Sequence, residues 1–272
     1  LVDGYPTEKL LRKVIDDLSD FLPHLVLVGG WIPYLYKQHI WPEELTAKRR
    51  GEGVLHAATV VTTTDMDFGV TLIAYSGKES IADHVRMLGY GERHLYSDKM
   101  SSPFVPIAKG KNDNEKAEVE FITVLDPPPH VHEKLVGKEI LLNKLRDFGI
   151  LLENTRRIEF FSQKVQIPTE ATFVFHKLLT FVLRENEDKK RKDLYYAYFM
   201  LRFCPDKTRL VNEVKDLIKK RKEGKKVLGN IQSFFAHKDD KGPVAIEREN
   251  GTDYFISNVR TDAYQRITQL AG

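Results

Sequence analysis

The residues Leu25-Val26-Leu27-Val28-Gly29-Gly30 constrain this chain more than any other stretch. Four consecutive apolar residues, two of them β-branched, predict a short buried strand. The glycine pair follows at once, and residues 31–40 after it can form a helix. Strand, glycine turn and helix start in succession place backbone N–H groups where an anion can sit.

Other elements are predicted on either side. Residues 7–22 carry Leu10, Leu11, Val14, Leu18, Phe21 and Leu22 at helical spacing, with Thr7 as N-cap and Pro23 as the stop. Residues 41–59 are polar and irregular and predict a long loop. A strand is expected over 60–70, a helix over 81–88, a polar loop over 109–116 and an alternating strand over 117–125. Pro127-Pro128-Pro129 breaks the chain, and strand-like pieces continue between 139 and 167. From Thr169 the period becomes helical, with helices predicted over 170–184, 189–203 and 207–221. Asn250-Gly251, between 244–249 and 252–256, is a hairpin signal, and a last short helix is expected over 261–270. The boundary falls near residue 167, with a mixed-sheet domain over 1–167 and a mainly helical domain over 168–272.

A chain of 272 residues with 42% hydrophobic and 30% charged content is long enough for a substantial core. Its single cysteine, Cys204, excludes an internal disulfide framework and a cysteine-based zinc site. No apolar run approaches the roughly 18 residues of a membrane span, and no signal-peptide pattern is present. The expectation is a soluble, cytoplasmic protein with no membrane partner. The net charge of +3 hides an asymmetry: residues 177–226 hold 16 basic and 8 acidic residues, and the remainder is acidic overall. That division suits a protein holding metal ions in one place and polyanions in another, and equally suits the solvated faces of charged helices.

Asp65 and Asp67 stand two apart in a predicted strand, so both carboxylates fall on one face. Like charges that close are unfavourable unless a cation neutralises them, and oxygen ligands of this kind suit Mg²⁺ or Mn²⁺. Glu118 and Glu120 share a face of the later strand. Three carboxylates on neighbouring strands, beside a glycine-lined helix start, would hold two metal ions and a triphosphate. That is the equipment for in-line attack on an α-phosphate.

Val28-Gly29-Gly30, Thr64-Asp65-Met66-Asp67-Phe68 and Val119-Glu120-Phe121 together resemble the motifs of the nucleotidyltransferase superfamily. Val165-Gln166-Ile167-Pro168, His176-Lys177-Leu178-Leu179 and Arg191-Lys192-Asp193-Leu194-Tyr195 resemble those of the abortive-infection (AbiE-type) toxin nucleotidyltransferases. The resemblance runs from Leu25 to Phe203. It implies an α+β fold, a nucleotidyltransferase-like mixed sheet with a C-terminal mainly helical domain. It also implies transfer of a nucleoside monophosphate from an NTP, such as ATP, to a hydroxyl, with release of pyrophosphate. On this resemblance Asp65, Asp67 and Glu120 are catalytic and bind Mg²⁺ or Mn²⁺, while Gly29, Gly30, Lys177 and Asp193 bind the nucleotide. An RNA or tRNA acceptor and a cognate antitoxin are the partners it implies.

The chain departs from the family pattern in three places. The gap from Gly30 to Asp65 is long and requires an inserted loop, Trp31 follows the glycines where a serine would contact phosphate, and Tyr196 stands where a second acid is expected. Plainer readings accompany the motifs. Lys177 and Arg184, seven apart, also fit the cationic edge of an amphipathic helix. His176 fits packing or surface, His130 and His132 lack a further ligand nearby, and Tyr195, Tyr196 and Tyr198 fit a core better than base stacking. Lys219, Lys220, Arg221 and Lys222 fit a solvated helix end or a grip on an RNA backbone. Two other functions are compatible with the same residues. One is a catalytically degenerate member that binds nucleotide or a partner; the other is an adenylyltransferase acting on an antibiotic or metabolite.

Overall fold

Apolar residues at helical spacing open the chain as helix α1 (Pro6–Asp17), which buries Leu11, Val14 and Ile15. The coordinates are a computed structural model and describe residues 6–42, 65–92, 104–106, 118–137, 140, 142–250 and 258–272. The first helix begins at Pro6 rather than after a Thr7 cap. Pro23 lies inside a separate 3-10 helix, Ser19–His24, because the α-helix has already given way to this tighter turn. Strand β1 (Leu25–Val28) follows, buried at all four positions. Helix α2 (Trp31–Leu35) continues as a π-helical turn over Tyr36–Ile40.

Strand β2 (Asp65–Val70) is the described part of the strand expected over 60–70. Helix α3 (Ile81–Met87) starts at Ser80, whose hydroxyl accepts the backbone N–H of Asp83. Then come β3 (Tyr90–Glu92), β4 (Phe104–Pro106), β5 (Glu118–Thr123), a π-helical turn over Val131–Val136 and β6 (Asn143–Lys144). Helix α4 (Gly149–Glu153), β7 (Thr155–Phe160) and β8 (Gln163–Pro168) complete this half. Of the loop expected over 41–59, residues 41 and 42 continue the helix; positions 43–64 and the loop expected over 109–116 lie outside the described residues.

The described strands form one mixed sheet in the order β3-β4-β5-β2-β1-β8-β7, with β6 also pairing with β5. β1 runs antiparallel to β2 and parallel to β8, and β2 runs parallel to β5. On one face Val26, Val28 and Ile122 pack with Phe148 and Leu151. Gly69 permits this approach, since a Cβ there would lie 2.7 Å from Leu152 Cδ2 and 3.0 Å from Phe148 Cζ. The other face buries Leu25, Leu27, Met66 and Phe68, and Phe68 stacks on Phe121 with centroids 6.2 Å apart.

From Thr169 onward the chain is helical. Helix α5 (Glu170–Thr180) is buried along its whole length, and a 3-10 turn over Phe181–Leu183 ends it. Around it lie α6 (Glu187–Phe203), α7 (Lys207–Lys220) and α8 (Gly224–Phe234), followed by α9 (Lys241–Asn250) and α10 (Val259–Thr268). Thr169, Asn186 and Asp206 cap α5, α6 and α7 through side-chain oxygens that accept backbone N–H groups.

The hairpin expected around Asn250-Gly251 is not formed, because 241–250 is helix. Pro243, Ile246 and Asn250 are buried at helical spacing, and that period overrides the strand-like alternation of Val244 and Ile246. The second arm of that hairpin, 252–256, lies outside the described residues. Helix α8 was not predicted, since Val227 and Ile231 are its buried positions among lysines and two glycines.

The chain is an α+β protein. It divides into two compact units, Leu1–Ile32 with Thr62–Pro168, and Pro33–Val61 with Thr169–Gly272. The second unit thus takes a segment from the N-terminal half. Trp41, expected in a polar loop, is fully buried there: it stacks on Phe199 at 6.0 Å and donates its indole N–H to Glu170 at 2.9 Å. Glu170 also accepts from Arg209 at 2.8 Å, so its buried charge is paired. The Cys204 thiol approaches the same carboxylate at 3.6 Å, and burial with that negative charge pushes its pKa up to about 12. Among the described residues no helix is long and apolar enough to cross a membrane.

Candidate active site

The end of β1 and the middle of β2 build the candidate site of the first unit. Val28 pairs with Asp67 across the antiparallel ladder, so the chain enters the Gly29-Gly30 turn directly beside that aspartate. Gly29 adopts φ +75°, a region that side chains disfavour. A Cβ there would collide with the Asp67 carboxylate and lie 3.1 Å from its Cγ. Glycine is therefore required twice, for its backbone and for the space that the carboxylate occupies.

The parallel pairing of β2 with β5 sets Asp65 beside Glu118 and Asp67 beside Glu120. Asp65, Asp67 and Glu120 are all half-buried. They belong to the sheet face that carries Val26, Val28 and Ile122, so one face changes from an apolar core to a carboxylate edge within a few residues. Among the described residues, no three histidine, cysteine, aspartate or glutamate side chains are gathered closely enough to form a metal cage. Trp31, which follows the glycines, is fully buried and serves the core.

Lys177 and Asp193 lie in the second unit and are paired. The Lys177 ammonium, on α5, donates to Asp193 Oδ1, and Arg184 Nε donates to Oδ2 at 2.8 Å. Lys177 is 6% exposed and Asp193 4%. The plainer alternative, Lys177 as the cationic edge of an amphipathic helix, therefore does not hold, because α5 is buried along its whole length. The ammonium also lies 5.5 Å from the Phe173 ring centroid and 5.6 Å from that of Tyr196, so Tyr196 presents an aromatic face to a buried cation. Tyr195, Tyr196 and Tyr198 are all buried and pack as core aromatics.

Burial pushes the Asp193 carboxyl up, but Lys177 and Arg184 outweigh it and hold the group below its ordinary range. Beside them His176 is held neutral: burial, reinforced by the Lys177 charge, lowers its pKa from 6.5 to about 3. The unfolded chain binds a proton at this histidine between those values and the folded chain does not. Stability is thus expected to fall as pH drops from about 6.5 toward 3, and His176→Phe is expected to flatten that part of the profile. Thermal midpoints of both chains across this range are the measurement.

Of the predicted residues, Gly29, Asp67 and Glu120 come together through strand register, with Asp65 two positions along. Lys177 and Asp193 come together in the other unit, with Arg184. The sequence reading missed the Trp41–Glu170–Arg209 network, for which the one available signal was an acid in the first turn of an otherwise apolar helix. Lys219 and Lys220 end α7, Arg221 and Lys222 follow it, and Lys220 pairs with Asp216 at 2.8 Å. Comparison of the chain with protein-family models, curated proteins and solved structures finds no match.

Proposed function

We propose that this protein is a nucleotidyltransferase that moves a nucleoside monophosphate from an NTP to a hydroxyl acceptor. The observation that carries the reading is Gly29, at positive φ and pressed against the Asp67 carboxylate, with Glu120 in register on the next strand. That arrangement sets backbone N–H groups of a turn next to hard oxygen donors, the two kinds of group a metal–triphosphate needs.

The donor chemistry of Asp65, Asp67 and Glu120 fits Mg²⁺ or Mn²⁺, and these three residues would hold it. When bound, the ion supplies Lewis-acid stabilisation of phosphoryl oxygens. Gly29 and Gly30 orient the phosphates through main-chain amides. In the second unit two cations share the Asp193 carboxylate; Lys177 is buried against it, and Arg184, whose side chain is 40% exposed, is the cation that supports a phosphate contact there. The excess of basic residues over 177–226 supports a polyanionic acceptor such as RNA. The same resemblance carries the toxin role with a cognate antitoxin.

One observation favours a second reading, a member that binds nucleotide or a partner without transfer: three carboxylates are not gathered among the described residues. Calorimetry and labelling separate the two. NTP affinity is expected to fall about tenfold on chelation of Mg²⁺ and to a similar degree in Asp67→Asn, a change of about 1.4 kcal/mol. Incubation with each labelled NTP and total RNA is expected to label RNA with the wild type and not with Asp67→Asn. Metal-dependent NTP binding with no labelled product selects the second reading, and absence of NTP binding overturns both the transferase and the nucleotide-binding member.

A further inference from the structure

A groove in the helical unit is lined by none of the residues assigned above to the metal or the nucleotide. One wall is a stripe of α6, formed by Glu187, Lys190, Arg191 and Leu194. The other is a stripe of α9, formed by Lys241, Val244, Ala245 and Arg248. Both follow the i, i+3, i+4, i+7 spacing that brings side chains onto one helix face. Phe234 of α8 adds an aromatic side chain to the apolar part of the lining. The cavity measures about 560 Å³, inside the roughly 300–1,000 Å³ range of small-molecule sites.

The charges around this groove differ in what they already hold. Glu187 accepts Lys190 at 2.5 Å, Asp239 accepts Arg260 at 3.0 Å, and Asp240 accepts the backbone N–H of His237 at 2.7 Å. Arg191 reaches Asp188 at 2.5 Å and Glu249 at 3.7 Å. Glu187 and Asp239 are therefore paired with cations, and Asp240 holds a backbone N–H alone. The side chains of Lys241 and Arg248, both exposed, make no hydrogen bond or ion pair among the described residues. Seven residues apart on one helix, they are separated by about 10 Å along its axis. The two cations without a partner thus stand at the two ends of an apolar strip, with the Asp240 carboxylate next in sequence to the Lys241 end.

We propose that this groove binds a small organic anion, an apolar carbon body carrying an acidic group at each end. The body lies along Leu194, Phe234, Val244 and Ala245, and the acidic groups meet Lys241 and Arg248. Carboxylate, sulfonate and phosphate all supply the needed charge, and the cavity volume selects a compact molecule over a polymer. The site belongs to the helical unit alone and stands whether or not the chain transfers nucleotides.

The probe is naphthalene-2,6-disulfonate, a flat apolar body with a sulfonate at each end, titrated calorimetrically into the full chain. One site is expected, with affinity about fivefold higher than for naphthalene-2-sulfonate, as one further partly exposed charge contact provides. Lys241→Gln and Arg248→Gln, each at an exposed position, are each expected to erase that difference while leaving circular dichroism and NTP affinity unchanged. Equal affinity for the two sulfonates, or an undiminished preference in both variants, overturns the proposal.

Discussion

Asp193→Ala is expected to destabilise the protein by about 3–5 kcal/mol, because it strands the Lys177 ammonium in the interior. Lys177 is 6% exposed and its ammonium lies within 5.6 Å of two aromatic ring centroids, so water cannot take over the lost contact. Arg184 loses its 2.8 Å partner as well, but its side chain is 40% exposed and can be rehydrated. The larger share of the cost therefore belongs to the lysine. Replacing the pair together, Lys177→Met with Asp193→Leu, is expected to recover most of the loss, since a well-packed apolar pair removes both desolvation penalties. Urea unfolding of the three chains measures this, and a double variant as unstable as Asp193→Ala contradicts the account. The carboxylate's contribution is present above its unfolded pKa of 3.8 and is lost as pH falls through the depressed folded value.

Gly29→Ala is expected to cost about 2–5 kcal/mol, from two separable causes. A side chain at φ +75° carries a backbone penalty of roughly 1–2 kcal/mol. The new methyl also meets the Asp67 carboxylate, and forcing an atom into filled space costs about 1–3 kcal/mol. In an Asp67→Ala background most of the second cause disappears, with only the 3.3 Å approach to the Cβ of residue 67 left, so the substitution should then cost close to the backbone penalty of about 1–2 kcal/mol. A double-mutant cycle by urea unfolding reads the difference. Additive costs would mean that the glycine serves only its own backbone conformation.

The glycine turn and the aspartate pair were legible because both are local signals. An apolar run followed by Gly29-Gly30 specifies a strand and a tight turn within six residues, and a spacing of two specifies one sheet face. The order of the strands was not legible, since β1 takes its neighbours β2 and β8 from distant parts of the chain. Lys177 misled for the same reason. On its own helix it fits a charged edge, and its burial depends on Asp193, sixteen residues away on another helix. The link from Trp41 to Glu170 spans 129 residues and leaves no periodicity to read. At 241–250 the local signal was itself ambiguous, because Val244 and Ile246 satisfy a strand's alternation while Ile246 and Asn250 satisfy a helix.

The two tryptophans of the chain stand ten positions apart, yet Trp31 belongs to the first compact unit and Trp41 to the second, and both are fully buried. Each unit thereby contains its own natural fluorophore. Phenylalanine at either position makes the remaining indole a reporter for one unit alone, with no dye attached. Emission curves of the two single-tryptophan chains in urea coincide if the units unfold in one step and separate if one lets go first.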